Sequence, residues 1–235
     1  MLNLSRSFFI ALIICLAAFV SVGQQQNNAS PTQSPTPQAA PNVDEWGDNF
    51  DGKELDQTKW ERFSFEGGSG GKFKVEDGQL RMRGVSGSRS GVRSTRTFTG
   101  DHFVINAVPA KVGAALPEPN QPNAPPGNAI LTLLFDSSGR NRIEWILTSE
   151  GTFEAWAIVD GRGERLDNRN LGTRATNPTL SIARRGDEYL FALNGQVGLQ
   201  KTIKNLPRGV RIMLYGYGSS ENNWDSLQVL MPKKP

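Results

Sequence analysis

The chain has 235 residues, 26 Lys and Arg against 23 Asp and Glu, and a formal net charge of +3. A chain of this length buries a full core without covalent staples, and one cysteine against 25 glycines excludes a disulfide framework. The basic residues are dispersed rather than blocked, so nothing in the charge pattern calls for a nucleic-acid partner.

In chain order, the first element is MLNLSRSFFIALIICLAAFVSVG, residues 1–23. One positive charge at Arg6 precedes an apolar run from Phe8 to Val20, and small residues follow at Ser21 and Gly23. That is the pattern of a secretory signal peptide. The run is short of the roughly 20 residues that span a bilayer. No stable membrane insertion is therefore expected after cleavage, with a retained anchor as the alternative. Cys15 lies inside the run behind Ile14, which is not the small residue that lipid attachment needs, so the mature chain is expected to be cysteine-free. The expected location is outside the cytoplasm: secreted, periplasmic or at the cell surface. Residues 24–42, QQQNNASPTQSPTPQAAPN, are too poor in apolar surface to fold and read as a disordered linker.

From residue 43 to 232 short apolar runs alternate with Gly, Asn, Asp and Ser turns. KFKVEDGQLRMRG reads as two strands around Asp77-Gly78, a hairpin signal. GVRSTRTF, HFVINAVPAKV, AILTLLFD, NRIEWILT and TFEAWAIVDG follow as strands, then TLSIARRGDEYLFALNG, LQKTIKNL, VRIMLYGYG and DSLQVLM. No stretch carries a helical stripe. Many short strands with turn signals between them predict an all-β, antiparallel two-sheet jelly-roll sandwich. AALPEPNQPNAPPGN, residues 114–128, is a proline-rich connection, long for a compact domain, and reads as a mobile insertion.

Alternation sorts three strands into faces. Ile143, Trp145 and Leu147 share one side, with Arg142 and Glu144 on the other. Phe153, Ala155, Ala157 and Val159 oppose Glu154, Trp156 and Ile158. Val210, Ile212 and Leu214 oppose Arg211, Met213, Tyr215 and Tyr217. With the first group of each strand in the core, Arg142, Glu144, Glu154, Trp156, Arg211 and Tyr215 are left for a ligand-binding face. Aromatic faces beside polar side chains are what a sugar needs. The alternative is that Trp156 and the tyrosines fill a second apolar layer.

The order of these segments resembles the concanavalin A-like lectin/glucanase superfamily, which includes laminin-G-like modules and family-16 glucanases. DNFDGKELDQTKWERF is similar to that superfamily's first strand, KVEDGQLRMRG to the strand–Gly–strand unit after it, and GVRSTRTFTGDHFVINAVPAK to the next pair. LSIARRGDEYLFALNGQ resembles an inner hairpin, and DSLQVLM the closing strand. The resemblance implies two stacked sheets, one with a concave face. It also implies a catalytic strand with three alternating acids. The best match places Arg142, Glu144 and Ile146 there, and an arginine and an isoleucine can be neither nucleophile nor proton donor. Glu150, Glu154 and Asp160 are the remaining candidates for displaced carboxylates, with a solvated turn as the plainer account of Glu150. The resemblance further implies a structural Ca²⁺ held by the Gly78 carbonyl, the Asp225 carboxylate and a carbonyl near Gly47, the alternative being that Asp225 caps a turn. His102 is the only histidine, so neither a Ser-His-Asp triad nor zinc is expected. Trp46, Trp60 and Trp224 read as structural.

The function expected is therefore a non-catalytic, exported module that binds a cell-surface or extracellular glycan on the concave face. A glycoside hydrolase with displaced carboxylates and a protein-binding adhesion domain are the alternatives.

Overall fold

The computed structural model describes residues 43–65, 71–85, 88–113, 126–170 and 178–233. The expected signal peptide and linker, and most of the proline-rich connection, lie outside them. The first strands are β1 (Val43–Asp48), β2 (Trp60–Ser64), β3 (Lys72–Glu76), β4 (Gln79–Arg83), β5 (Arg89–Ser94) and β6 (Phe98–Thr99). Next come β7 (His102–Val112), β8 (Asn128–Leu134), β9 (Arg142–Thr148), β10 (Thr152–Val159) and β11 (Arg162–Asn170). The last are β12 (Leu180–Arg185), β13 (Glu188–Leu193), β14 (Gln196–Thr202), β15 (Gly209–Tyr217) and β16 (Glu221–Pro232). There is no helix among the described residues.

The strands form two eight-stranded antiparallel sheets. The first runs β14-β13-β12-β7-β16-β4-β3, and β1 lies on the C-terminal half of β16, along the edge that β4 takes on the N-terminal half. The second runs β11-β10-β9-β8-β15-β5-β2, with β6 on the start of β15. Hairpin pairs such as β12-β13 and β9-β10 alternate in these orders with long-range pairs such as β7-β16, β16-β4, β8-β15 and β15-β5, as a jelly roll requires. The all-β sandwich expected from the alternation is the fold observed.

The core between the sheets is built from one face of each strand. Leu131, Leu133, Ile143, Ile212 and Leu214 of the second sheet meet Ile105, Ile182, Phe191 and Val229 of the first, all at 0% exposure. Trp60 and Trp224 are buried, and Trp46 packs on Trp60 with ring centroids 5.3 Å apart, so the three are structural. Trp145, between Phe153 and Phe191, donates its indole N–H to the Ala192 carbonyl at 3.3 Å.

Three boundaries differ from the expectation. DNFDGKELDQTKWERF is not one strand: β1 and β2 lie in different sheets, joined by residues 49–59. GVRSTRTF breaks between β5 and β6, where the Ser94 hydroxyl donates to the Arg96 carbonyl at 2.8 Å and turns the chain. β11, RGERLDNRN, is a full edge strand that the alternation does not reveal. Charged, polar residues suit an exposed sheet edge because they discourage pairing with another chain.

Candidate functional site

The face of the second sheet turned away from the core carries the sequence-derived candidates, and the pairing register lays them out as a grid. One row across the sheet reads Glu61, Arg93, Met213, Thr132, Glu144, Trp156, Arg165 from β2 to β11. The next reads Phe63, Gly91, Tyr215, Ile130, Ile146, Glu154, Asn168. On the other side of the first row, Arg211, Leu134, Arg142, Ile158 and Gly163 line up from β15 to β11. The six candidates Arg142, Glu144, Glu154, Trp156, Arg211 and Tyr215 thus do share one face.

They do not share one environment. Across β15, β8 and β9 the face is roofed by a small apolar cluster of Ile130, Met213 and Tyr215, with Phe63, Phe65 and Ile146 packed on it. Gly91 makes this layer possible. A Cβ there would stand 2.0 Å from the Leu214 carbonyl and 2.5 Å from the Tyr215 Cβ. Phe65, just past the end of β2, reaches the β8–β9 turn, where a Cβ on Gly139 would sit 2.1 Å from its ring. Its ring lies edge-on to Tyr215, centroids 5.9 Å apart, and the guanidinium groups of Arg89 and Arg142 lie 5.0 Å and 5.2 Å from its centre. The β8–β9 turn that receives Phe65 is held by Asp136, whose carboxylate accepts from Ser138 Oγ at 2.6 Å and Asn141 N at 2.7 Å. Burial works against the Asp136 charge, but those hydrogen bonds outweigh it and hold the carboxyl below its ordinary range.

Under this roof Glu144 and Tyr215 are 6% and 2% exposed. Glu144 Oε1 accepts from the Tyr215 hydroxyl at 2.6 Å and from Arg142 Nε at 2.6 Å. Burial, and then the Glu144 charge, push the Tyr215 hydroxyl well above the usual phenol range. The neighbouring Thr132 is fully buried and its hydroxyl has no hydrogen-bond partner among the described residues. These groups are spent on each other. Glu144 and Tyr215 therefore do not line an open groove: Tyr215 lies in a second apolar layer, the alternative the sequence offered for the tyrosines, and Glu144 is buried against it.

The outer corner on β2, β5 and β15 is ionic. Glu61 Oε1 accepts from Arg93 Nε at 3.0 Å, Arg93 Nη2 at 2.6 Å and Arg211 Nη1 at 2.5 Å. The Arg93 guanidinium stacks 4.0 Å from the Phe63 ring centre.

The β10–β11 side is open. Trp156 is half-buried, and its indole N–H donates to Glu154 Oε2 at 2.9 Å. Arg165 and Asn168, both exposed, stand opposite Trp156 and Glu154 on β11. A bulge in β11 creates this arrangement. The register slips between Ala155 and Trp156, so that the additional residue Leu166 packs on the core while Arg165 stays on the outer face. Arg165 was missed from the sequence because the strand carrying it was missed. Of the carboxylates left as catalytic substitutes, Glu150 and Asp160 occupy the turns at opposite ends of β10, and Glu154 lies between them on the strand.

The residues implied for calcium are Gly78, Asp225 and a carbonyl near Gly47. Gly78 turns the β3–β4 hairpin at φ +68°, with Asp51 Oδ1 3.5 Å from where its Cβ would be. Asp225 sits at a register break of β16, half-buried and engaged with its neighbours. The Gly47 carbonyl accepts from the Lys59 ammonium at 2.8 Å. Among the described residues no group of three or more His, Cys, Asp or Glu could hold a metal. Calcium takes six to eight oxygens, waters among them, and of the carbonyls implied for it the one on Gly47 is shared with the Lys59 ammonium.

No protein-family model matches the chain, and neither does any curated protein sequence. Solved structures do resemble it. A β-glucanase from Bacillus licheniformis is 12% identical, with a TM-score of 0.60, over 84% of this chain and 100% of that one. An endo-β-1,3-glucanase from Pyrococcus furiosus is 12% identical at a TM-score of 0.61, over 83% and 100%. The carbohydrate-binding module CBM66 from Bacillus subtilis is 10% identical at 0.51, over 71% and 92%. Identities this low speak to architecture alone, and with the two antiparallel sheets they establish that the chain has the concanavalin A-like jelly-roll fold.

Proposed function

We propose that this domain is a non-catalytic glycan-recognition module whose ligand lies across the β10–β11 side of the outer face. The observation that carries the reading is Trp156. Its side chain is half-buried on the open part of the face, pinned by the bond from its indole N–H to Glu154. A side chain on Gly163 would start 4.0 Å from the six-membered ring, and the glycine leaves that space clear. A fixed aromatic plane flanked by Glu154, Arg165 and Asn168 offers a sugar a stacking surface with hydrogen-bond partners at its rim. Likeness to a carbohydrate-binding module supports the same reading.

The second reading is a glycoside hydrolase, since two of the similar structures are glucanases. It draws on Glu144 and Glu154, diagonal neighbours on one face of β9 and β10. Burial and the bonds to Arg142 and Tyr215 withdraw Glu144 from a reacting sugar, which favours binding over hydrolysis. From the sequence of residues 1–42 we further propose export, with the domain working outside the cytoplasm.

A glycan array probed with the protein and with Trp156→Ala tests the reading. Binding that the substitution abolishes, with no new reducing ends released from the bound glycan, supports it. Release of reducing ends selects the hydrolase, and binding that survives Trp156→Ala removes the platform.

A further inference from the structure

We infer that the glycan taken by this face is anionic, bearing carboxylate or sulfate groups, and that Arg165 is the residue that engages them. The inference rests on the glycan-binding reading above and assigns its ligand class. Arg165 lies directly opposite Trp156 across the β10–β11 pair. It is exposed, and no hydrogen bond, ion pair or ring contact holds its guanidinium among the described residues. The nearest acid on the face, Glu154, already accepts from the Trp156 indole. Glu154 is thus turned to the indole, and Arg165 stands beside the ring as a cation with no ion-pair partner among the described residues.

The rest of the face has the same sign. Arg142 is matched by Glu144, but Arg93 and Arg211 share the single carboxylate of Glu61. That corner carries one surplus positive charge, and its Arg211 side chain is 34% exposed. A neutral polysaccharide gains ordinary hydrogen bonds to its hydroxyls from that guanidinium. A carboxylate or sulfate gains more, because the planar fork presents two parallel N–H donors to paired, charged oxygens. The distance also fits: side chains directly opposite on neighbouring strands are about 5 Å apart at Cβ. A ring stacked on Trp156 thus brings its substituents within reach of Arg165.

The experiment compares the full-length protein with Arg165→Gln and Arg165→Lys on matched polymers. Polygalacturonate is paired with its methyl ester, and a sulfated galactan with the unsulfated one. The expected result is binding to one charged polymer about tenfold or more tighter than to its neutral partner, weakened by added salt. Arg165→Gln lowers that binding to the level of the neutral partner at an unchanged melting temperature, and Arg165→Lys keeps part of it. The preferred pair tells carboxylate from sulfate. Equal binding of charged and neutral partners, or a preference that survives Arg165→Gln, overturns the inference and leaves glycan recognition standing. Failure to bind any glycan, charged or neutral, removes both.

Discussion

The Tyr215 hydroxyl lies 2.6 Å from Glu144 Oε1, with the Phe65 ring standing edge-on above the phenol. This buried pair occupies the middle of the face that an open groove would need. It divides the face into a closed centre and an open β10–β11 margin, and it makes the centre a matter of stability.

Tyr215 carries a pH signature. Burial and Glu144 raise its ionisation well above the ordinary value of 10.0, so the folded protein keeps a proton that the unfolded chain releases near there. Its contribution is complete below about pH 10 and is lost as pH rises toward the folded value. Tyr189, pushed up to about 12 by burial, acts in the same direction. Tyr215→Phe should cost about 1–3 kcal/mol at neutral pH, because Glu144 loses a buried donor. It should also flatten the fall in stability above about pH 10. Urea unfolding of both proteins across that range checks the two effects, and parallel curves would contradict the second.

Thr132 should behave in the opposite way. Its hydroxyl is buried with no partner among the described residues. Thr132→Val removes an unpaid desolvation at constant shape, so stability should hold or rise by up to about 1 kcal/mol. A clear loss in the same unfolding assay would show that the hydroxyl has work to do in this face.

Phe65 is the roof. Phe65→Ala takes the ring off Tyr215, Arg89, Arg142 and Gly139 together. A loss of about 2–3 kcal/mol is expected, with the Tyr215 ionisation falling back toward the ordinary phenol range, followed by ultraviolet titration. An unmoved titration would mean that the phenol is buried by something else.

Calcium should not matter. The Lys59 ammonium on the Gly47 carbonyl, and the lack of an acidic cluster among the described residues, predict the same melting temperature in millimolar calcium and in chelator. A rise with calcium would contradict this and return Gly78 and Asp225 to the candidate ligands.

Much of this was legible in the sequence, and the boundary of what was legible is physical. Alternation along β9, β10 and β15 placed Ile143, Trp145, Phe153, Ala155, Ile212 and Leu214 in the core, where they are. A period of two is a local property, so one strand suffices to read it. What covers the other face is not local. Phe63 and Phe65 reach it only because β2 pairs with β5 and β5 with β15, across long stretches of chain. The Glu144–Tyr215 bond depends on the same pairings. Arg165 was hidden for a different reason: an edge strand of charged residues has no apolar period, and the bulge at Leu166 interrupts even its polar one.

The most direct test of the account is the indole N–H spectrum of the protein labelled with ¹⁵N-tryptophan. The five tryptophans give five signals to follow, with Trp156 assigned by its loss in Trp156→Phe. Titration with fragments of a bound glycan should shift the Trp156 signal first and most. Those of the core residues Trp60, Trp145 and Trp224 should stay in place. A Trp156 signal that does not move while the glycan is bound would contradict the platform and send the search to another surface of the sandwich.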